Sequence, residues 1–138
     1  MSKNKTISKN LRINILQLSH QAKSSHIGGC LSIVEILTIL YNNILRGFSL
    51  RKKKFKDTFI LSKGHACLAL YCMLYEKKIL GKKTLFSYGK NNSLLMSHAS
   101  HHVPGVNFST GSLGHGLPVA IGSALSAKLE KKIVKFLF

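Results

Sequence analysis

Apolar positions along the chain alternate between helical spacing and short continuous runs. After a polar leader, Leu11, Ile15, Leu18 and Ala22 recur every three or four residues and predict a first helix. Lys23 closes it, and Ser24-Ser25-His26-Ile27-Gly28-Gly29 reads as a glycine-containing turn. Ser32 and Glu35 then stand at the spacing of a capping box, whose hydroxyl and carboxylate satisfy the free N–H groups of a helix start. Ile33, Ile36, Leu37, Leu40, Tyr41 and Ile44 carry that second helix forward. Gly47 and the basic run Arg51-Lys52-Lys53-Lys54 predict a solvated loop, and residues 57–61 a short buried strand. A helix is expected over 66–76, a polar loop over 81–92, a long functional loop over 96–118, an apolar helix over 117–129 and a final strand over 133–138.

Helices alternating with short β-branched or aromatic runs predict an α/β fold, a parallel sheet flanked by helices, with two or three strands in this chain. No repeat, low-complexity block or linker divides the 138 residues, so one domain is expected. A sheet this small reads as incomplete, with an edge at 133–138 that invites a neighbouring strand.

Charge changes the picture less than its size suggests. Twenty-one Lys and Arg oppose four acids, a formal net charge of +17, which favours anionic partners. Only Arg12, Arg46 and Arg51 are arginines, whereas bidentate reading of phosphates and guanine edges uses arginine. The lysine excess therefore reads as compositional drift shared with high Asn and Ile, and a nucleic-acid partner is not expected. Cys30, Cys67 and Cys72 lack C-x-x-C spacing and predict buried thiols in a reducing compartment, with Cys67 and Cys72 on different faces of their helix. The N-terminal residues have no apolar run behind their positive charge, no stretch is long enough to span a bilayer, and a cytoplasmic location is expected.

The chemistry concentrates in three glycine-histidine segments: Ser25-His26-Ile27-Gly28-Gly29, Ser62-Lys63-Gly64-His65-Ala66, and Thr110-Gly111-Ser112-Leu113-Gly114-His115-Gly116. Each lies beside an expected helix start, where glycine admits close backbone approach and free N–H groups favour an anion such as a diphosphate. Neutral imidazole both donates and accepts hydrogen bonds, which suits sugar hydroxyls and proton movement near neutral pH.

The order of these segments resembles the N-terminal part of transketolases, above all the split form whose halves are separate chains. The S-K-G-H-A and T-G-S-L-G-H-G-L patterns of that family stand at 62–66 and 110–117, and the turn at 25–29 precedes a helix opening with Ser32 and Glu35. The resemblance runs from about Leu11 to the last residue. It implies thiamine diphosphate as cofactor, with Mg²⁺, and transfer of a two-carbon ketol unit from a ketose phosphate to an aldose phosphate. By the same resemblance His26, His65 and His98 would be the catalytic histidines. His26 would lie near the reacting carbon of the donor sugar, His65 at the diphosphate and substrate channel, and His98 at the donor's terminal hydroxyl. His65, Gly111, Ser112, Leu113 and His115 would bind the cofactor, Leu113 supporting its bent ring arrangement, with Lys63 beside the phosphate. His101 and His102 are expected to be solvated, and His20 to lie at the surface or in packing on the first helix.

In the family the metal ligands follow the strand matching 133–138, and the carboxylate that activates the aminopyrimidine comes from the C-terminal, pyrimidine-binding half. Glu35, Asp57, Glu76 and Glu130 are the only acids here, and none is expected at a metal site. The chain therefore reads as a C-terminally truncated domain, inactive alone, whose partner is a pyrimidine-binding subunit or the rest of its own chain, in a dimeric assembly. The alternatives are a segment of a related thiamine enzyme, such as a deoxyxylulose-phosphate synthase, and a non-catalytic basic interaction protein.

Overall fold

The computed structural model describes residues 3–47, 49 and 56–137. Its first element, α1 (Lys3–Ala22), begins earlier than the sequence pattern suggests, because Ile7 extends the buried stripe of Leu11, Ile15 and Leu18 by one turn. Two short helices follow, α2 (Ile27–Leu31) and α3 (Val34–Ile39), and α3 runs on into a π-helical turn, Leu40–Ile44. After a segment outside the described residues, which includes the basic run at 51–54, come the strand β1 (Thr58–Phe59), a 3₁₀ turn (Gly64–Ala66) and α4 (Cys67–Glu76). The short α5 (Lys82–Leu85) falls where a loop is expected, and α6 (Gly116–Leu129) leads to β2 (Phe136–Leu137).

The capping-box expectation at Ser32 and Glu35 is wrong. Ser32 has right-handed helical backbone angles, and its hydroxyl donates back to the Gly29 carbonyl at 2.8 Å. Ile33 takes the cap position without a side-chain hydrogen bond, and both Glu35 oxygens accept from Arg12 on α1 at 2.7 Å. The carboxylate thus serves a tertiary contact and the hydroxyl a local turn, and α2 falls where a glycine-containing turn is expected. The face also turns: Val34, Leu37, Thr38 and Tyr41 are buried, while Ile36 and Ile39 are exposed.

Every residue from Cys67 to Leu74 on α4 is buried, which makes it the central helix, packed against α1, α2, α3 and α5. All three cysteines are free and buried. The strands β1 and β2 are parallel neighbours, Thr58 opposite Phe136 and Phe59 opposite Leu137. Both are shorter than the runs 57–61 and 133–138 suggest. Asp57, fully buried at the foot of β1, closes this region: it accepts from the backbone N–H and guanidinium of Arg46 and from the Lys135 N–H, all within 3.0 Å. Helix α6 sets its small residues Gly116, Ala120 and Ala127 inward and Leu117, Ile121, Leu125 and Leu129 outward.

Candidate functional site

The three glycine-histidine segments meet, and glycine is what lets them. A Cβ on Gly29 would stand 3.4 Å from the His65 ring, and one on Gly64 would run into the Thr110 backbone and hydroxyl. One on Gly116 would meet Ser62 at 2.6 Å. Backbone bonds lock the same junction: Ala99 N–H donates to the Gly64 carbonyl at 3.1 Å, and Thr110 N–H to the Ala99 carbonyl at 3.0 Å. The buried Thr110 hydroxyl donates to the Leu61 carbonyl at 2.5 Å, tying the glycine loop to the end of β1.

This packing gathers His26, His65 and His98. The His26 ring centroid lies 5.3 Å from that of His65 and 5.7 Å from that of His98, the latter edge to face. A Cβ on Gly111 would sit 3.6 Å from the His98 ring, so the loop 111–113 borders the same surface. Lys63 stands beside it, its ammonium donating to the Ser32 hydroxyl at 3.1 Å. Burial first, then the nearby His26, Lys63 and His98 charges, hold His65 below the ordinary imidazole value. His65 is therefore neutral at pH 7, with one ring nitrogen free to donate and the other to accept.

Not every expected residue joins the group. His115 precedes α6 and its ring faces Phe108 edge-on at 6.0 Å. His101 and His102 are exposed and lie against one another at 4.1 Å, with His101 bonded to Ser109, while His20 is exposed on α1. Sequence reasoning gave no separate role to Thr110 or Tyr71, yet Thr110 holds the glycine loop and the Tyr71 hydroxyl donates to the His98 carbonyl at 2.9 Å. Thr110 opens a recognised motif, which was a usable signal; Tyr71 lies in an unbroken apolar run and gave none.

The donor set separates two expected ligands. Imidazoles, an ammonium and an exposed glycine loop suit the anionic and hydroxyl-bearing parts of a cofactor and sugar, and Leu113, 74% exposed beside them, offers an apolar surface for a ring to cover. A divalent cation is not matched by these residues. Glu35, Asp57 and Glu130 pair with Arg12, Arg46 and Lys132, and among the described residues no group of three or more His, Cys, Asp or Glu is placed to hold a metal ion.

The chain is similar to known proteins over most of its length. Residues 3–134 match the family described as transketolase, thiamine diphosphate binding domain. The chain belongs to that family. It is 40% identical over 121 residues to one of the subunits of apulose-4-phosphate transketolase from Phocaeicola vulgatus, covering 87% of this chain and 43% of that protein. It is 35% identical over 123 residues to human transketolase, covering 88% of this chain and 20% of that one. The fold matches a transketolase structure from Leishmania mexicana with a TM-score of 0.82 at 24% identity, over 91% of this chain and 19% of that chain. The chain thus spans less than half the length of these relatives. The fold class is α/β, as the alternation of elements predicts. No described helix is long and apolar enough to cross a membrane.

Proposed function

We propose that this chain supplies one wall of a transketolase-type active site, which moves a two-carbon ketol unit from a ketose phosphate to an aldose phosphate. The observation that carries the reading is the meeting of His26, His65 and His98 beside the exposed loop Gly111-Ser112-Leu113. Thiamine diphosphate, when bound, supplies a nucleophilic ylid carbon and an electron sink. The chain's own residues place and protect. His65, with Lys63 beside it, faces the diphosphate, and its neutral ring accepts or donates a proton at Nε2 or Nδ1. His26 and His98 hydrogen-bond the donor's hydroxyls near the reacting carbon and at its far end. Gly111 offers its carbonyl, Ser112 and His115 lie along the same loop, and Leu113 supports the rings and keeps water from them.

The described residues do not fit Mg²⁺, so no step is assigned to it, and its ligands are proposed to come from polypeptide outside them. The partner is a C-terminal, pyrimidine-binding transketolase subunit, which would bring the activating carboxylate, in a dimeric cytoplasmic assembly. Relatives described as single subunits of a transketolase support a divided enzyme. The chain is the diphosphate-binding domain of that enzyme.

The test is a coupled ketol-transfer assay with the purified chain, a C-terminal, pyrimidine-binding transketolase subunit, thiamine diphosphate, Mg²⁺, and sugar phosphates as donor and acceptor. Turnover is expected only when both chains are present. His65→Ala is expected to lower kcat/KM by about 100-fold or more, the typical weight of a positioned acid-base group. Full activity of that variant would remove His65 from the site, and no transfer by the folded pair would overturn the reading.

A further inference from the structure

His98 poses a physical problem that its own side chain does not solve. It is exposed, on a loop with no regular secondary structure, and its ring nitrogen Nδ1 has only a long 3.4 Å contact with the neighbouring Ser97 hydroxyl. An imidazole so placed samples several rotamers and backbone positions, and fixing them costs conformational entropy. Yet its ring faces that of His26 edge-on and borders Gly111. Something behind the loop fixes the backbone from which the ring projects.

The central helix does this. The Tyr71 hydroxyl donates to the His98 carbonyl at 2.9 Å, and one turn earlier the Cys67 thiol donates to the Met96 carbonyl at 3.4 Å. Positions 67 and 71 are four apart and lie one above the other on a helix, about 6 Å along its axis. Carbonyls two residues apart are separated by at most about 7 Å, so the two side chains match the two carbonyls. Tyr71 and Cys67 are both 0% exposed. Burial pushes the Cys67 thiol up to about 12 and the Tyr71 phenol further above its ordinary value, so both keep their protons and remain donors across the neutral range. Beyond His98 the next residue is fixed as well, because Ala99 bonds Gly64 through its N–H and Thr110 through its carbonyl. His98 is held from the rear on both sides while its ring is left open to the site.

We propose that Tyr71 is a positioning residue for the histidine cluster: with Cys67 as a weaker second rung, it docks residues 96–98 onto α4 and so sets the His98 ring against His26. Cys67 therefore does more than fill the core. The placement holds whatever binds at the site; its relevance to sugar binding rests on the function proposed above.

The test uses the full chain, isotope-labelled, with the histidine ring protons observed by NMR. In Tyr71→Phe the hydroxyl is lost and the ring stack of the core is kept. The cross-peak between the His98 and His26 rings is expected to vanish and the His98 ring signals to shift, while the cross-peak between His26 and His65 persists. Cys67→Ala is expected to shift the His98 signals in the same direction by less, and it carries the test should Tyr71→Phe fail to fold. An unchanged His98–His26 cross-peak in a folded variant overturns the proposal. So does loss of both cross-peaks together, which would mean general loosening of the core. Because no cofactor enters this experiment, its outcome is independent of the ketol-transfer assay. In that assay, with the partner chain, Tyr71→Phe is expected to raise KM for the ketose donor more than it lowers kcat.

Discussion

Gly64→Ala is expected to lower the stability of the chain by about 3 kcal/mol, the upper part of the range for overpacking a close-packed interior. The added methyl would strike the Thr110 backbone and lie 2.7 Å from the Thr110 hydroxyl, in a position where both residues are buried. Neither side can yield easily. Gly64 is held by the Ala99 N–H, and Thr110 by its bonds to Ala99 and Leu61. The junction of two of the three glycine-histidine segments would open, and His65 and the loop 111–113 would part. Gly28 supplies the control, because a Cβ there meets nothing within 4 Å and the residue is helical. Gly28→Ala should be neutral or slightly stabilising. Urea unfolding of the two variants beside the parent chain checks this, and a Gly64→Ala midpoint equal to that of the parent would show that the contact is not as tight as described.

The second large effect concerns Asp57. Arg46 first, through its guanidinium, and then the Lys135 and Arg46 backbone N–H groups hold the Asp57 carboxyl well below the usual carboxylate range, against the opposing effect of burial. A carboxylate whose folded pKa is depressed contributes stability above its unfolded value, near 4, and that contribution fades as pH falls through the folded value. Asp57→Asn replaces an acceptor of four hydrogen bonds by an amide whose NH₂ faces donors, and about 3 kcal/mol is expected to be lost at pH 7. The low end of the buried-pair range applies because the Arg46 side chain, 42% exposed, retains solvent. Unfolding measured from pH 7 downward should show the difference between parent and variant narrowing below about pH 4. A constant difference over that range would mean that the carboxylate's charge is not what stabilises the link between β1, β2 and Arg46.

Helices were more legible in the sequence than their starts or partners. The stripe from Leu11 to Ala22 predicted α1, and the apolar runs predicted α4 and α6 to within a residue or two. The C-terminal ends at 22, 76 and 129 were read correctly, although Lys23, Lys78 and Lys131 occupy the left-handed position at which glycine usually signals a stop. Bonds from Ser24 to Ser19, Ile79 to Leu74 and Lys132 to Ala127 close these ends all the same. Lysine at these positions breaks a local rule without hiding the ends. Ser32 and Glu35 misled for the opposite reason: their spacing satisfies a local rule, but Glu35 gains a bidentate partner in Arg12, 23 residues earlier, and a one-dimensional pattern does not show that competition.

The candidate site was legible through its glycines and histidines, since their types and order survive as short strings. His26, His65 and His98 do come together, whereas His115 turns toward Phe108. The supports were hidden. Tyr71 looks like any core aromatic until its hydroxyl is seen beneath the His98 carbonyl, and Thr110 matters through bonds to Ala99 and to Leu61, the latter 49 positions away.

If this chain holds part of a thiamine diphosphate site that another polypeptide completes, neither protein should retain the cofactor without the other. Calorimetric titration puts that to the test: the folded 138-residue chain is titrated with thiamine diphosphate and Mg²⁺, alone and then mixed with a C-terminal, pyrimidine-binding transketolase subunit. Saturable binding is expected only in the mixture and is expected to be lost when His65 is replaced by alanine; saturable binding to the chain alone, or none in the mixture, would contradict a shared site.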